Sequence, residues 1–357
     1  MTELSSQGDV PIPRRPAGGR AARVSGEPTP TTIVSLLEAE FDRLWPDGVT
    51  GLDAVHRYAV IPTGKLLRPS LVVHAALVVG GDLGAVLPAA AGIEGAHVGS
   101  LMHDDIIDRD GERRGRKAVH TAFGPAQAII AGNALFFAWF AALAECARRG
   151  VPADRVQRAM AVQAGAGTAI CRGAFEELTM RGDLDHSVDD YLAMARGKTA
   201  ALFEAACRVG SILGGGDDHA TDLLGTFGDH LGIAFQIRDD LLPYESATAH
   251  LMGKPADSDL RNHCPTLPVL LAHQRADTAA RAALRHTLSD KTDPQTALHR
   301  MRALLEETGA LKTAHAMADH HARLARYAIS QLPASAHTRA LSHLTRTPAK
   351  AAPLPSA

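Results

Sequence analysis

Aromatic side chains are scarce in this 357-residue chain: Phe, Trp and Tyr together make up 4%. A hydrophobic content of 46% still allows a large core, so that core must be aliphatic and alanine-rich. Alternating runs of Val, Ile and Thr, the mark of half-buried strands, are also scarce. An excess of either charge is missing as well. Lys plus Arg number 37 and Asp plus Glu 39, for a net charge of −2. Without a basic excess the chain gives no footing to a nucleic acid or an anionic membrane surface. Cysteine is limited to Cys146, Cys171, Cys207 and Cys264, with no CxxC pair. That scatter predicts free thiols in a reducing compartment. No apolar run reads as long enough to span a bilayer, and Arg14 and Arg15 precede no apolar stretch of an export signal. The expectation is a cytoplasmic protein that is not an integral membrane protein.

What the chain does contain is helical pattern. Good helix formers dominate, and apolar residues recur three and four apart between short Gly- or Pro-containing turns. Residues 1–30, with five prolines among Gly, Arg and Ser, read as a disordered tail, and so do residues 346–357. Between them, 31–345 reads as one all-α domain. Two longer polar loops interrupt it, at 109–117 and 244–267, each following an acidic cluster.

The first cluster is Asp104-Asp105-Ile106-Ile107-Asp108. At 3.6 residues per turn Asp104 and Asp108 stack on one helical face, where they repel unless a cation lies between them. Magnesium suits such oxygen ligands and brings phosphate oxygens as its others. A bare DDxxD arises by chance in about one chain in ten at ordinary composition, so the cluster needs company. It has company in Phe235-Gln236-Ile237-Arg238-Asp239-Asp240, where Gln236 stands one turn before Asp240. Cations complete the set. Lys65 and Arg68, three apart, are expected on one helical face; Arg113 and Arg114 follow the first cluster; Lys198 opens KTAALFEAA; Lys254 follows the second cluster.

These residues carry a resemblance. GKLLRP (64–69), His97, SLMHDDIID (100–108), RRG (113–115), KTA (198–200), FQIRDD (235–240), GK (253–254), DL (259–260) and TLP (266–268) stand in the order of the trans-isoprenyl diphosphate synthases, the polyprenyl synthetase family. The resemblance implies long helices around a deep central cavity, usually in a homodimer. It implies that Asp104, Asp108 and Asp239 ligate Mg2+ on an allylic prenyl diphosphate, which Arg113, Lys198 and Lys254 contact. It implies that Lys65, Arg68, His97 and Arg114 hold isopentenyl diphosphate, and that Thr199 and Gln236 line the reacting centre. The reaction implied is head-to-tail (1′-4) condensation to an all-trans prenyl diphosphate.

The chain departs from the family pattern at two points. The second cluster ends in Pro243 where an Asp is usual, and Cys264 stands where a Lys is usual. Loss of a mutually paired acid and base would leave local charge unchanged. Product length is read from the helix preceding Asp104. Gly99 and Ser100, then Ala96 and Gly92, are small where bulky aromatics would stop growth at fifteen carbons, so geranylgeranyl diphosphate (C20) is the expected product. Phe136, Phe137, Trp139 and Phe140 either floor that pocket or pack an interface. Two other functions remain open. A class I terpene cyclase shares the first acidic motif but has no use for Lys65, Arg68, His97 and Arg114. A non-catalytic modulating subunit would explain Pro243 but not the near-complete set of diphosphate contacts.

Overall fold

The computed structural model describes residues 30–245, 257–289 and 293–346. The expected tails fall outside these limits except at their inner ends: Pro30 already opens the first helix, and the Arg346 N–H donates to the His343 carbonyl at 2.9 Å. The fold is all-α, as the composition predicts. Helices α1 (Pro30–Leu44), α2 (Gly51–Val60), α3 (Leu67–Val78) and α4 (Leu83–Ile107) lead to a short hairpin, β1 (Glu112–Arg113) and β2 (Arg116–Lys117). Helices α5 (Val119–Phe123), α6 (Pro125–Arg148), α7 (Ala153–Met180) and α8 (Val188–Ala195) follow. A π-helical turn, Arg196–Ala200, then joins α8 to α9 (Ala201–Gly214). Next come α10 (Asp218–Leu241), a 3-10 turn at Leu242–Tyr244, α11 (Ser258–Arg261) and α12 (Leu267–Arg275). The chain closes with α13 (Thr278–Ser289), α14 (Pro294–Glu307), α15 (Ala310–Ser330) and α16 (Ala336–Leu344).

Contacts close a ring: α3 packs on α4, α4 on α6, α6 on α7, α7 on α9 and α9 back on α3, while α10 joins α9 to α15. One core, centred on α3, α4, α6 and α9, contains Phe41, Leu71, Ile93, Leu135, Trp139 and Phe203. A second, under α10, α12, α14 and α15, contains Tyr191, Ile237, Leu270, Met301 and Leu305. The longest apolar element of the ring, α4, starts where Asp82 accepts from the Ala85 N–H at 3.0 Å, satisfying an orphan donor. Pro88 inside it has no N–H to return to the Gly84 carbonyl. Arg149 Nη1 takes that oxygen instead, at 3.0 Å.

Three expectations change here. The 109–117 segment is a hairpin rather than an irregular loop. Arg114 (φ 54°) and Gly115 (φ 74°) form its two-residue turn, both left-handed as the right-handed twist of the flanking strands favours. The segment 244–267 contains α11. Finally, α6 is long and apolar enough to cross a membrane by length and composition, which the sequence reading missed. One face of it, Ala128, Ala131, Leu135, Trp139, Leu143 and Cys146, is buried at helical spacing, whereas Ile129, Ile130 and Phe137 on the other are exposed.

Candidate active site

The first acidic cluster closes α4. Its last residue, Asp108, caps the helix with its N–H on the Asp104 carbonyl at 2.8 Å, and Arg109 (φ 57°) turns the chain away. The four acids from 104 to 110 are not equivalent. Asp105 is buried and paired with Arg113, whose Nε donates at 2.8 Å. Burial nevertheless pushes its carboxyl above the usual carboxylate range. Asp110 is fully buried, accepts from Ser258 Oγ at 3.0 Å and pairs with Arg261. Asp108 is buried and paired with Arg181 from the end of α7. Asp104 is half-exposed. Along α4, residues 86–96 are all buried, and accessibility returns at His97, Ser100, Leu101, His103 and Asp104, of which His97, Ser100, Leu101 and Asp104 form a stripe at helical spacing.

Cations surround the stripe. Arg114 lies 3.9 Å from the buried Glu94 of α4 and stands over Gly64, where a Cβ would come within 2.7 Å of Nη2. Arg68 lies over the Phe203 ring at 4.6 Å, with its Nε buried and without a hydrogen-bond partner among the described residues. Burial pulls the Arg68 guanidinium down to about 10; Glu94 and Asp239 oppose this, and it remains charged at neutral pH. His97 sits among Arg68, Arg114 and Arg113. Burial, then these three charges, hold its imidazole well below its ordinary value. Both influences favour the uncharged ring, so His97 serves as a hydrogen-bonding group rather than as a further cation. Lys65 is exposed and precedes α3, because Leu66 (φ 51°) breaks the chain ahead of Leu67. The shared helical face expected for Lys65 and Arg68 does not form.

The second cluster divides its labour. Asp240 points inward and accepts from Tyr191 Oη at 2.7 Å, Gln236 Nε2 at 2.8 Å and the Leu267 N–H at 3.3 Å. Burial pushes its carboxyl up to about 7 in spite of these donors. Asp239 is half-exposed and acts electrostatically on Arg68. Pro243 behaves as its ring requires: α10 ends at Leu241 and a 3-10 turn takes over. Lys198 lies in the π-helical turn, a device frequent at functional sites, and pairs with Glu177 of α7. Thr199 Oγ1 donates to Gln236 Oε1 at 2.5 Å, which joins the two expected lining residues. Lys254 lies outside the described residues.

The chain-length positions separate. A Cβ on Gly99 would stand 2.9 Å from the Gly132 carbonyl oxygen, and one on Gly92 would stand 2.7 Å from Ala142 Cβ. Both glycines let α6 approach α4, so their smallness reports packing rather than pocket depth. Ala96 is buried, and only Ser100 lies on the accessible stripe, its Oγ donating to the His97 carbonyl at 2.8 Å. Trp139 is buried beside Gly92 and Gly167, whereas Phe137 is 76% exposed and floors nothing among the described residues.

The polyprenyl synthetase model matches residues 49–305. The chain belongs to the polyprenyl synthetase family. It is 35% identical over 300 residues to a geranylfarnesyl diphosphate synthase of Aeropyrum pernix, covering 83% of this chain and 91% of the relative. It is 37% identical over 244 residues to a geranylgeranyl diphosphate synthase of Methanosarcina mazei, covering 68% and 74%. A crystal structure of a polyprenyl synthase from Caulobacter crescentus, complexed with calcium and isoprenyl diphosphate, superposes with TM-score 0.81 at 30% identity. That match covers 91% of this chain and 99% of the other. The chain is thus a prenyltransferase of the trans-prenyl diphosphate synthase family, built on the isoprenoid synthase fold. The two named relatives differ in product, so membership leaves chain length open.

Sequence reasoning missed Glu94, Asp110, Glu177, Arg181, Tyr191 and Arg261. Glu94 alone had a signal: it is the one acidic or basic side chain, histidines aside, between Asp82 and Asp104. The others act through folds of the chain that spacing does not encode.

Proposed function

We propose that this single-domain enzyme condenses isopentenyl diphosphate head-to-tail with allylic diphosphates to give geranylgeranyl diphosphate. The observation that carries the reading is the accessible stripe of α4, on which Asp104, Ser100 and His97 lie in line beside Arg68, Arg113 and Arg114. Acids at one end, cations around them and a small side chain along the stripe support this reading.

Asp104, Asp108 and Asp239 are the residues to hold Mg2+. Their chemistry fits: all three donors are carboxylates, and Asp104 and Asp239 are half-exposed, open to a ligand. Such a site suits an ion that keeps phosphate oxygens as ligands. When bound, magnesium draws electron density from the diphosphate oxygens. Arg113 and Lys198, with Lys254, position the allylic diphosphate, and their charge stabilises the electron pair it gains as the allylic C–O bond breaks. Arg68 and Arg114, with Lys65, hold the isopentenyl diphosphate, and neutral His97 donates a hydrogen bond to it. The isopentenyl π pair forms the new C–C bond to the allylic cation. A proton then leaves the adjacent carbon for the departing diphosphate. Thr199 and Gln236, tied to each other and through Asp240 to Tyr191, keep the reacting centre rigid. The aliphatic walls exclude the water that would quench the cation.

A C20 product is supported by Ser100 on the accessible stripe and by the geranylgeranyl relative. The exposed apolar side chains of α6 and α7, among them Ile130, Phe137 and Phe175, support a homodimer that covers them. Free cysteines, two of them buried, support a cytoplasmic location. Purified protein supplied with Mg2+, isopentenyl diphosphate and each allylic starter in turn tests the product. A twenty-carbon all-trans diphosphate is expected; accumulation at fifteen or twenty-five carbons would overturn the assigned length.

A further inference from the structure

Among the described residues, the cation paired with Asp108 comes from none of the basic positions that sequence motifs single out. It is Arg181, the residue that caps α7. Three segments meet around it. The Gly182 N–H donates to the His263 carbonyl at 2.8 Å, and Asn262 Nδ2 donates to the Asp108 carbonyl at 3.3 Å. The end of α7 is thereby strapped to the end of α4 and to the segment preceding Cys264. The guanidinium lies within electrostatic reach of both Asp108 and Glu177. Glu177 also pairs with Lys198, so Asp108, Arg181, Glu177 and Lys198 form a chain of alternating charge from α4 to the π-helical turn. Arg181 Nε is buried and has no hydrogen-bond partner among the described residues. One arm of the guanidinium fork thus holds the acid, while another donor, already desolvated, is unused. Leaving a buried N–H unpaired is costly, which makes it a ready donor for an incoming anion.

We propose that Arg181 is a further diphosphate-binding residue, acting as a placeholder cation. Without substrate it neutralises Asp108. When Asp108 turns to a divalent cation carrying a diphosphate, the guanidinium is released from the carboxylate and its fork, Nε included, binds the diphosphate oxygens. Like charges compete for one carboxylate oxygen, so the metal and Arg181 oppose each other until an anion joins them. The inference rests on the diphosphate site proposed above.

The test uses the full chain and the variants Arg181→Gln and Arg181→Lys, with inorganic pyrophosphate as probe and calorimetry as readout. For Arg181→Gln, Mg2+ alone is expected to bind several-fold more tightly, because Asp108 has lost its competitor. Pyrophosphate in the presence of Mg2+ is expected to bind at least tenfold more weakly. The KM for the allylic diphosphate should rise by a similar factor, with that for isopentenyl diphosphate moving less than twofold. A purely structural role would weaken both ligands together, and that result, or unchanged pyrophosphate affinity, overturns the proposal. If thermal melting shows Arg181→Gln unfolded, Arg181→Lys is decisive. Its point charge without the fork should lose affinity for pyrophosphate by a smaller factor, and wild-type affinity would refute the role. A wild type that makes no prenyl product would instead count against the proposed function, since the pyrophosphate titration is read independently of turnover.

Discussion

Replacing Ser100 by Phe tests whether the accessible face of α4 is the wall along which the product grows. Ser100 lies one turn, about 6 Å, from Asp104 on the exposed stripe, and its neighbours Ala96 and Gly99 are buried. Its hydroxyl bonds only to the His97 carbonyl within its own helix, so its loss leaves no distant partner orphaned among the described residues. A phenyl ring there occupies the room of more than one five-carbon unit. Forcing a further unit past it is an overpacking problem, which costs about 1–3 kcal/mol in a close-packed interior. At 1.4 kcal/mol per factor of ten, the last elongation should slow by roughly 5- to 150-fold relative to earlier ones. The assay supplies labelled isopentenyl diphosphate and a limiting allylic starter, removes the phosphates and separates products by chain length. The main product should shorten by at least one isoprene unit while total turnover of short starters stays within a few-fold. Unchanged length in a folded variant would show that the tail runs along another helix.

Further outcomes follow from the same geometry. Asp104→Asn and Asp239→Asn should each lower kcat by roughly a hundredfold to a thousandfold and weaken Mg2+ dependence. Asp240→Asn, whose carboxyl is already held by Tyr191, Gln236 and Leu267, should leave the Mg2+ dependence unchanged. His74 and His337 share a buried Nδ1···Nδ1 contact of 3.2 Å between α3 and α16, and burial pulls the His74 imidazole down to about 4. A lowered histidine pKa gives stability that is present above the unfolded value of about 6.5 and is lost as pH falls from there towards 4. Urea melts should therefore lose about 2 kcal/mol between pH 7 and pH 5 from this residue, and His74→Gln should flatten that slope; an equal slope in both proteins would refute the assignment. Pro243→Asp and Cys264→Lys, made singly and together, test whether the two departures compensate. Turnover of the double variant should exceed the product of the single effects, and additivity would show that the positions never formed a pair.

How far the sequence reached depended on how local each feature is. The all-α class, the end of α10 ahead of Pro243 and the contact of Gln236 with Asp240 one turn away all follow from neighbours in the chain, and all are present. Lys65 and Arg68 misled because a helical face was assumed across Leu66, whose left-handed backbone no spacing rule announces. Gly99 misled for a different reason. A small residue satisfies a close helix approach and a deep pocket equally well, and only the position of Gly132 on α6 decides between them. Arg181 was invisible because α7 reaches Asp108 from 73 residues away. Its sequence context, a helix end before Gly182-Asp183, is that of an ordinary surface charge.

The most direct test of prenyl condensation is whether consumption of the allylic diphosphate depends on isopentenyl diphosphate. With Mg2+ present, geranyl or farnesyl diphosphate alone should not be lost, and either should be lost rapidly when isopentenyl diphosphate is added. Each molecule of it consumed should lengthen the product by five carbons, and chelation of the metal should stop the reaction. Release of a cyclic hydrocarbon from the allylic substrate alone, or no turnover with any starter, would contradict it.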